Sequence, residues 1–445
     1  MSRYYNKRLF IISLLKEIIV MKIKFLVVTA ILFLTSCSEK DSVQLTSTNS
    51  LINTSHLDSL YEEINVEGKS MGIIHIYSNY PDYKWIGDDD EGIACVDDAA
   101  RATIFYLRNY QSNNDTASLT KAKQLTRLLL FMQSENGFFY NFILEDHSIN
   151  KTHRNSINIA DWWSWRAMWT LSESYKVFKT ENVEFSKQIL KCLETSVEAT
   201  KKSFPKVKSV IKIDGMEYPN WLPYETAGDQ ASILVVALIN YLRETGDTSV
   251  TSYINDLCDG ILLMQKGDSE NIPFYAFLSW QNLWHAYGNS QSYALLKALE
   301  VLKRNDLKIS ALNEINSFYD YLIEENYLSS FGIKKVNDAF EFSESKQFSQ
   351  IAYNFRPIIY ACLEAFKLTN DSVYVFKSIE ISKWFFGKNI AGTQMYYPST
   401  GRCFDGINSE NDVNMNSGAE STIEALLSLQ AIEINNVSEE LLQFH

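Results

Sequence analysis

The chain has 445 residues, of which 41 are Lys or Arg and 54 are Asp or Glu, so its formal net charge is −13 at pH 7. Nucleic-acid phosphates bind to basic surfaces, and this acidic balance therefore argues against a nucleic-acid partner. The sequence also contains no metal-binding, dinucleotide-binding or phosphate-binding motif, so we expect neither a metal ion nor another cofactor.

The first 37 residues have the pattern of a signal peptide that ends in a lipidated cysteine. Met21 begins a basic stretch, residues 25–33 are apolar, and Leu34-Thr-Ser-Cys37 supplies a small-residue cleavage site. This ending resembles the bacterial lipobox, in which Cys37 becomes the lipidated first residue, and we expect Met21 to be the true start. An uncleaved membrane anchor is the alternative, but the apolar run is shorter than the ~20 residues of a span. Residues 38–54, rich in Ser, Thr, Asn and Asp, are expected to form a flexible tether.

Six polar loops, each followed by a long apolar segment, recur along the rest of the chain. They lie at residues 92–101, 158–166, 224–230, 279–284, 350–356 and 416–421. Regular repetition of one supersecondary unit is the signature of a repeated architecture. Because no linker interrupts this rhythm, residues 55–445 are predicted to form a single catalytic domain. The predicted fold is all-α: an (α/α)6 toroid of six helical hairpins with all six loops at one rim.

The segments after the polar loops differ from the segments between them. Residues 103–107, 233–239 and 358–363 are apolar on nearly all sides, as in helices that are buried all round. Single apolar stripes, typical of helices packed on one side, occur at residues 116–133, 182–201, 248–264, 309–324 and 371–386. This contrast predicts an inner ring of helices inside an outer ring. Short β-strands are predicted at the cleft mouth, at residues 72–77, 137–142, 207–213 and 395–397.

Carboxylates at the polar loops are the candidate catalytic residues. Asp97 and Asp98 lie at a helix start, where one of them could serve only as an N-cap while the other faces the cleft. Asp161, Glu225 and Glu420 stand at the start of other buried segments. Hydrolysis of a glycosidic bond needs two carboxyl groups across a cleft, one of them protonated. The sequence leaves open which of these carboxylates form the pair.

Aromatic and basic residues near the same loops are candidates for sugar binding. Four tryptophans fall within residues 162–169, more than one helix buries in a core, and one or two are expected to line the cleft mouth. The predicted substrate-binding residues are Trp85, Arg101, Trp162, Trp163, Arg166, Trp221, Tyr224, Gln281 and Arg356. The five cysteines after Cys37 lack Cys-x-x-Cys spacing and lie mostly in apolar segments, which predicts buried thiols.

Two local patterns carry a resemblance to known proteins. The segment Cys95-Val-Asp-Asp-Ala-Ala-Arg101 resembles a helix start found in toroid domains, some of which are attached to or encoded beside glycosyltransferases. Residues 384–389, 401–406 and 414–420 resemble the closing repeat of such domains. Together with the helical rhythm over about residues 55–435, the chain resembles the six-hairpin glycosidase-like superfamily, which includes glycoside hydrolases, polysaccharide lyases and sugar epimerases. In some toroid glycosidases a Glu near the last inner helix is the general acid, and the resemblance therefore implies that role for Glu420.

We expect a glycoside hydrolase that acts on an oligo- or polysaccharide by carboxylate acid–base catalysis. Asp97 or Asp98 is expected to act opposite Glu225 or Glu420, with Asp161 in support. One alternative is a polysaccharide lyase, which would need clustered basic residues and a Tyr or His base near a uronate. Another is a non-catalytic, glycan-binding surface lipoprotein, which would keep the aromatic residues without turnover.

The expected partners are a carbohydrate and, through the lipid anchor, the outer membrane. The protein is predicted to be an outer-membrane lipoprotein on the periplasmic or the cell-surface side, and a monomer. These expectations rest on the leader and on the composition of the chain.

We predict that the mature protein begins at a lipidated Cys37, because the basic and apolar leader ends in Leu34-Thr-Ser-Cys37. Mass spectrometry of the native N-terminal peptide measures this directly. A mature chain that begins at another residue, or that retains residues 21–36, would contradict the prediction.

Overall fold

A computed structural model describes residues 50–444, and these residues belong to one compact unit, Ser50–His445. The predicted signal peptide, with Met21 and Cys37, and residues 38–49 of the predicted tether lie outside the described residues. Helices are numbered below in chain order as α1 to α13, and strands as β1 to β15.

Six helices form a closed inner ring. They are α2 (Val96–Asn113), α4 (Trp162–Glu181), α6 (Gly228–Thr245), α8 (Gln291–Ala298), α10 (Arg356–Thr369) and α12 (Ala419–Ile434). Each contacts the next inner helix along the chain, and α12 contacts α2, so the ring closes. Each of these helices follows one of the six polar loops, which confirms the predicted (α/α)6 toroid.

The remaining helices form the outer ring. They are α1 (Ser55–Leu60), α3 (Thr116–Met132), α5 (Val183–Ser203), α7 (Thr251–Met264), α9 (Asn305–Glu324) and α11 (Val373–Ser382), with α13 (Glu439–Phe444) after the last inner helix. Each outer helix from α3 to α11 packs against the inner helix that precedes it. The short helix α1 packs against α12 and occupies the sixth outer place.

Burial explains why the two rings could be distinguished from sequence. In α6 every residue from Gly228 to Ile239 is buried, whereas α3 buries one face around Leu125, Leu128 and Leu129. A helix inside the ring meets apolar neighbours on all sides, while an outer helix also meets water. The predicted outer helices are confirmed within a few residues at most ends. The fifth ends early, at Ser382, because residues 383–385 form a 3₁₀ turn.

Within residues 50–444, short antiparallel strands join the helices and form six two-stranded ribbons and one three-stranded sheet, in which Ser330–Val336 lies between Leu283–His285 and Ala339–Lys346. The strands are β1 Tyr61–Val66, β2 Lys69–Ile74, β3 Tyr77–Asn79, β4 Lys84–Ile86, β5 Ala94–Cys95, β6 Phe142–Ile143, β7 Val210–Ile213, β8 Met216–Pro219, β9 Leu283–His285, β10 Ser330–Val336, β11 Ala339–Lys346, β12 Tyr396–Tyr397, β13 Arg402–Cys403, β14 Gly406–Ser409 and β15 Asp412–Asn414. Each predicted strand overlaps an observed one, although residues 137–142 contribute only Phe142.

The β10–β11 hairpin was not predicted. Its turn is Asn337-Asp338, and both residues have positive φ angles of 48° and 66°. Two successive left-handed residues match the twist of a two-residue hairpin, and Asn and Asp tolerate that conformation.

The five described cysteines are all free and buried, as predicted. Among residues 50–444, no helix is long and apolar enough to cross a membrane.

We predict that Gly92→Ala destabilises the fold by about 3 kcal/mol or more. Gly92 has a φ of +118°, and a Cβ atom there would lie 2.1 Å from the carbonyl oxygen of Ile143. That carbonyl accepts the Ile93 N–H at 2.8 Å, a bond that anchors the loop leading into α2. Urea unfolding of the purified domain measures the change in free energy.

Gly246→Ala is the matched control for Gly92→Ala. Gly246 also has a positive φ, +76°, but a Cβ atom there would meet nothing within 4 Å. Its substitution should therefore cost only the left-handed backbone penalty of about 1–2 kcal/mol. An equal loss of unfolding free energy in the two variants would show that the clash with Ile143 does not affect stability.

Candidate active site

The start of α2 contributes two carboxylates in different environments. The helix is capped by Cys95, whose sulfur accepts the Asp98 N–H, so neither Asp97 nor Asp98 is the N-cap. Asp98 is buried and receives hydrogen bonds from the Cys95 thiol at 3.2 Å and from Arg101 at 2.8 Å. Burial raises the pKa of Asp98 to about 6, although the Arg101 charge opposes this rise. Asp98 therefore belongs to the buried wall of the site.

The Arg101 guanidinium joins the first inner helix to the last. Besides Asp98, its Nη1 contacts Glu420 at 2.9 Å and Glu424 at 3.1 Å, both on α12. Arg356, at the start of α10, binds the other oxygen of Glu424 through its Nε. Glu424 is fully buried, while the side chain of Glu420 is 44% exposed. Two carboxylates one helical turn apart therefore share a cation, but only Glu420 is open to a ligand.

Tyr353 lies at the centre of three arginines. The guanidinium carbons of Arg101, Arg166 and Arg356 each lie 5.2 Å from the centre of its ring. Its hydroxyl accepts a hydrogen bond from Arg166 Nη2 at 2.8 Å, and Arg166 Nη1 binds Asp97 at 2.5 Å. Cations above an aromatic face are attracted by its quadrupole, so the phenol ring helps to keep the three charges together.

Asp161 caps α4, and its pKa is raised while both of its oxygens are held by hydrogen bonds. Its Oδ1 accepts the Trp162 N–H at 2.7 Å and a Gln230 amide N–H at 3.0 Å. Its Oδ2 accepts the Tyr224 hydroxyl at 2.5 Å. Burial raises the pKa of Asp161, and the nearby Asp97 charge adds to the rise, while the Tyr224 hydrogen bond opposes it. A raised pKa and a fixed orientation are what a general acid needs.

A second group of residues was not selected from the sequence. His285 Nε2 contacts Asp229 Oδ2 at 2.9 Å, and His285 Nδ1 contacts the Tyr287 carbonyl oxygen at 2.9 Å. The exposed Tyr287 ring stacks on the imidazole at 3.7 Å. Burial raises the pKa of Tyr287, and the charges of Asp229 and Glu420 add to this rise. Because α6 and α12 are opposite members of the ring, Tyr287 lies near both sides of the cleft.

Signals for these missed residues were present in the sequence. Asp229 and Tyr353 lie inside the polar loops, His285 follows one loop directly, and Glu424 lies one helical turn after Glu420. In the described part of the chain, no group of three or more His, Cys, Asp or Glu side chains is arranged to hold a metal ion.

Several predicted sugar-binding residues have other surroundings. Trp163 and Trp221 are buried, and their indole N–H groups donate to the carbonyl oxygens of Phe139 and Asp256. Trp163 packs in the core, whereas Trp221 also lines a cavity beside Asp161. Trp85 is exposed and stacks on His75, with ring centres 3.7 Å apart. Trp85 and Trp163 are therefore not part of the site proposed below.

Other predicted residues remain at the rim. Trp162 is half-buried, and its ring faces the Arg166 guanidinium at 4.9 Å. Gln281 is half-buried, and its backbone N–H donates to the Thr226 hydroxyl at 3.0 Å. The Glu225 side chain is exposed and has no hydrogen-bond or ion-pair partner among the described residues. The arrangement thus contains Asp97, Asp161 and Glu420 in fixed positions and Glu225 as a free carboxylate.

A cavity of about 340 Å³ lies at the opposite rim, at the C-terminal halves of the inner helices. Its walls include Arg108, Arg243, Lys297 and Lys367. Cations near helix C-termini complement the partial negative charge of those ends. This explains why basic residues lie here, and no ligand is needed to explain them. This cavity is separate from the carboxylate site.

No family model matches the chain, and no curated protein matches it in sequence. Among solved structures, a sugar epimerase from a ruminal bacterium is similar, with a TM-score of 0.59 and 12% identity over 87% of this chain and 96% of that chain. Cellobiose 2-epimerase from Bacillus thermoamylovorans B4167 has a TM-score of 0.59 and 13% identity over 85% and 95% of the two chains. D-mannose isomerase has a TM-score of 0.53 and 11% identity over 82% and 91%. At these identities the likeness shows the (α/α)6 fold alone.

We predict that Glu424→Gln and Glu420→Gln differ sharply in stability. Removing the Glu424 charge leaves Arg356 and part of Arg101 buried without a counter-ion, which should cost about 3–5 kcal/mol. Removing the exposed Glu420 charge should cost about 1 kcal/mol or less. Urea unfolding of both variants beside the parent measures the difference. Similar losses at the two positions would contradict this division of the Arg101 partners.

Proposed function

We propose that the protein is a glycoside hydrolase that cleaves an oligo- or polysaccharide at the loop-bearing rim of the toroid. The observation that supports this most is the set of carboxylates on three consecutive inner helices: Glu420 on α12, Asp97 on α2, and Asp161 at the start of α4. Their environments differ, because Asp161 has a raised pKa while Glu420 and Asp97 are paired with arginines. Carboxyl groups that differ in this way can divide the acid and base roles of glycoside hydrolysis.

Asp161 is the proposed general acid that protonates the leaving oxygen. Tyr224 and Gln230 fix its two oxygens, and burial favours its protonated form. Glu420 is the proposed base that activates water, because its side chain is accessible and Arg101 stabilises its charge. This differs from the general-acid role that the family resemblance implies for Glu420. Asp97 is held by Arg166 and is proposed to orient that arginine toward the substrate.

Exposed aromatic rings on the same rim are proposed to bind the sugar. Tyr224, Trp280 and Tyr287 are all exposed, and the Trp280 indole N–H donates to the Tyr224 carbonyl oxygen at 3.3 Å. Aromatic faces pack against the apolar faces of pyranose rings, while hydroxyl and amide groups bind their polar edges. The chain as a whole is acidic, which favours a substrate without strong negative charge.

A sugar epimerase or isomerase is the second candidate function. It is favoured by the solved structures of similar fold, which are described as a sugar epimerase, a cellobiose 2-epimerase and a mannose isomerase. Such chemistry requires a base beside the sugar carbonyl group, and His285 is the histidine nearest to the exposed Tyr287. Both nitrogens of His285 already have partners, the Asp229 carboxylate and the Tyr287 carbonyl oxygen, so neither has a hydrogen-bonding position left for a substrate. This geometry favours the hydrolase.

The enzyme is further proposed to act outside the cytoplasm, tethered to the outer membrane through Cys37. The support for this is the leader sequence, which lies outside the described residues. A monomer remains our proposal for the catalytic domain.

We predict that Asp161→Asn and Glu420→Gln each lower kcat by about 10²–10⁴-fold, because each removes one half of the acid–base chemistry. Residues 52–445 would be incubated with a glycan panel, and new reducing ends would be measured together with the melting temperature. Glu145→Gln is the control, since Glu145 is an exposed carboxylate on a neighbouring loop. Rates within tenfold of the parent for both variants would contradict the proposed roles.

The products in the same assay separate the alternatives. New reducing ends indicate hydrolysis, and a changed reducing sugar without bond cleavage indicates epimerisation or isomerisation. An unsaturated product that absorbs ultraviolet light indicates a lyase. Binding without turnover indicates a glycan-capturing protein and contradicts every enzymatic proposal.

We predict that Tyr224→Phe moves the alkaline limb of the kcat/KM profile to higher pH. The Tyr224 hydroxyl stabilises the Asp161 carboxylate and lowers its pKa. A general acid must be protonated, so activity falls as pH rises through its pKa. Removing the hydroxyl raises that pKa, and the fall in activity should occur later. A profile that is unchanged or shifted to lower pH would contradict the role of Asp161.

A further inference from the structure

A cavity of about 670 Å³ lies beside Asp161, between the second and third helical hairpins. This volume falls within the range of about 300–1,000 Å³ that is usual for small-molecule sites. Its walls include Ala160, Phe138, Phe204, Tyr224 and Glu225. Tyr224, whose hydroxyl donates to Asp161, belongs to one of these walls, so the wall of the cavity is hydrogen-bonded to the proposed general acid.

A second wall of the cavity is also connected to Asp161. Trp165 lines the cavity, and its indole N–H donates to the Gln230 side-chain oxygen at 2.9 Å. The amide nitrogen of the same Gln230 donates to Asp161 at 3.0 Å. Two independent hydrogen-bonded connections therefore link the cavity wall to the carboxyl group that the proposed mechanism uses.

The chemistry of the lining selects one class of ligand. Phe138, Phe204 and Tyr224 are partly or fully exposed aromatic residues, and the side chains of Asn136, Asn158 and Asn220 supply amides that also make hydrogen bonds within the protein. Glu225 is the only charged residue among the lining residues, and its carboxylate has no partner in the described chain. Aromatic faces with amides and a carboxylate suit the apolar faces and the hydroxyl groups of a sugar ring. The absence of a cation from this lining disfavours a uronate.

The backbone holds Glu225 in an unusual conformation. Tyr224 and Glu225 have successive φ angles of +47° and +67°. The left-handed conformation is unfavourable for such residues, and strained residues of this kind cluster at ligand-binding sites. The turn presents the Tyr224 hydroxyl to Asp161 and leaves the adjacent Glu225 carboxylate unpaired at the cavity.

We infer that this cavity is a second saccharide subsite, which binds an uncharged sugar residue linked to the residue that is cleaved at Asp161. Glu225 is its specificity-determining residue: it accepts hydrogen bonds from sugar hydroxyls and repels carboxylates. The inference rests on the proposed function for the identity of the neighbouring site. It changes the role of Glu225 from a catalytic candidate to a binding residue.

Calorimetric binding to the Asp161→Asn variant tests the inference without turnover. The probes are neutral cello-, manno- and xylo-oligosaccharides of two to six residues, with oligogalacturonides of the same lengths. In the Asp161→Asn background, affinity for at least one neutral series should rise when the chain becomes long enough to reach the cavity. Adding Glu225→Ala should remove at least fivefold of that gain. Adding Glu225→Lys should also weaken the neutral series and should strengthen oligogalacturonide binding.

The outcomes separate the subsite from the catalytic proposal. If the parent hydrolyses no probe but neutral binding depends on Glu225, the subsite stands and the hydrolase proposal fails. If the parent hydrolyses a probe but both Glu225 variants keep the full length dependence, the subsite fails and the hydrolase stands. Absence of binding to every neutral probe, or tighter binding of oligogalacturonides without Glu225→Lys, would overturn the subsite.

Discussion

The rest of the site depends on the ion pairs that the buried Arg101 guanidinium makes. It contacts Asp98 on the first inner helix and both Glu420 and Glu424 on the last, so it joins the two ends of the ring. A buried cation is costly unless it is paired and hydrogen-bonded, and the most distant partner of Arg101 lies 323 residues away from it in the chain. Closing the toroid therefore also fixes a carboxylate at the cleft.

The same constraint divides the acidic residues into enclosed and accessible ones. Asp98 and Glu424 are enclosed and compensate arginine charge, whereas Glu420 shares the cation but remains open to the cleft. On the other side of α2, Arg166 binds Asp97 and also donates to the Tyr353 hydroxyl. A rigid network of ion pairs of this kind can hold catalytic groups in place, so they need not be reorganised during the reaction.

The architecture could be predicted from the sequence because the apolar pattern of each helix shows how many of its sides are buried. Helices apolar on all sides alternate with helices that have one stripe, and each inner helix follows a polar loop. The site could be predicted only in part, since charge pairing is not local. Glu424 resembles any helical glutamate until Arg356, 68 residues away, is placed against it. Trp163 lies beside one of the polar loops, yet a hydrogen bond from its indole N–H to the Phe139 carbonyl oxygen holds its ring in the core. The Asn337-Asp338 dipeptide is typical of a hairpin turn, so the β10–β11 hairpin could also have been predicted from the sequence.

A crystal structure of the Asp161→Asn variant with a bound neutral oligosaccharide would show whether Asp161 and Glu420 face the same glycosidic bond. We expect a glycosidic oxygen within about 3.2 Å of the side chain at position 161, with Glu420 facing the same sugar residue. We also expect that the adjacent sugar residue occupies the cavity beside Glu225. A saccharide bound instead at the opposite rim, around Arg108 and Lys297, would contradict these expectations.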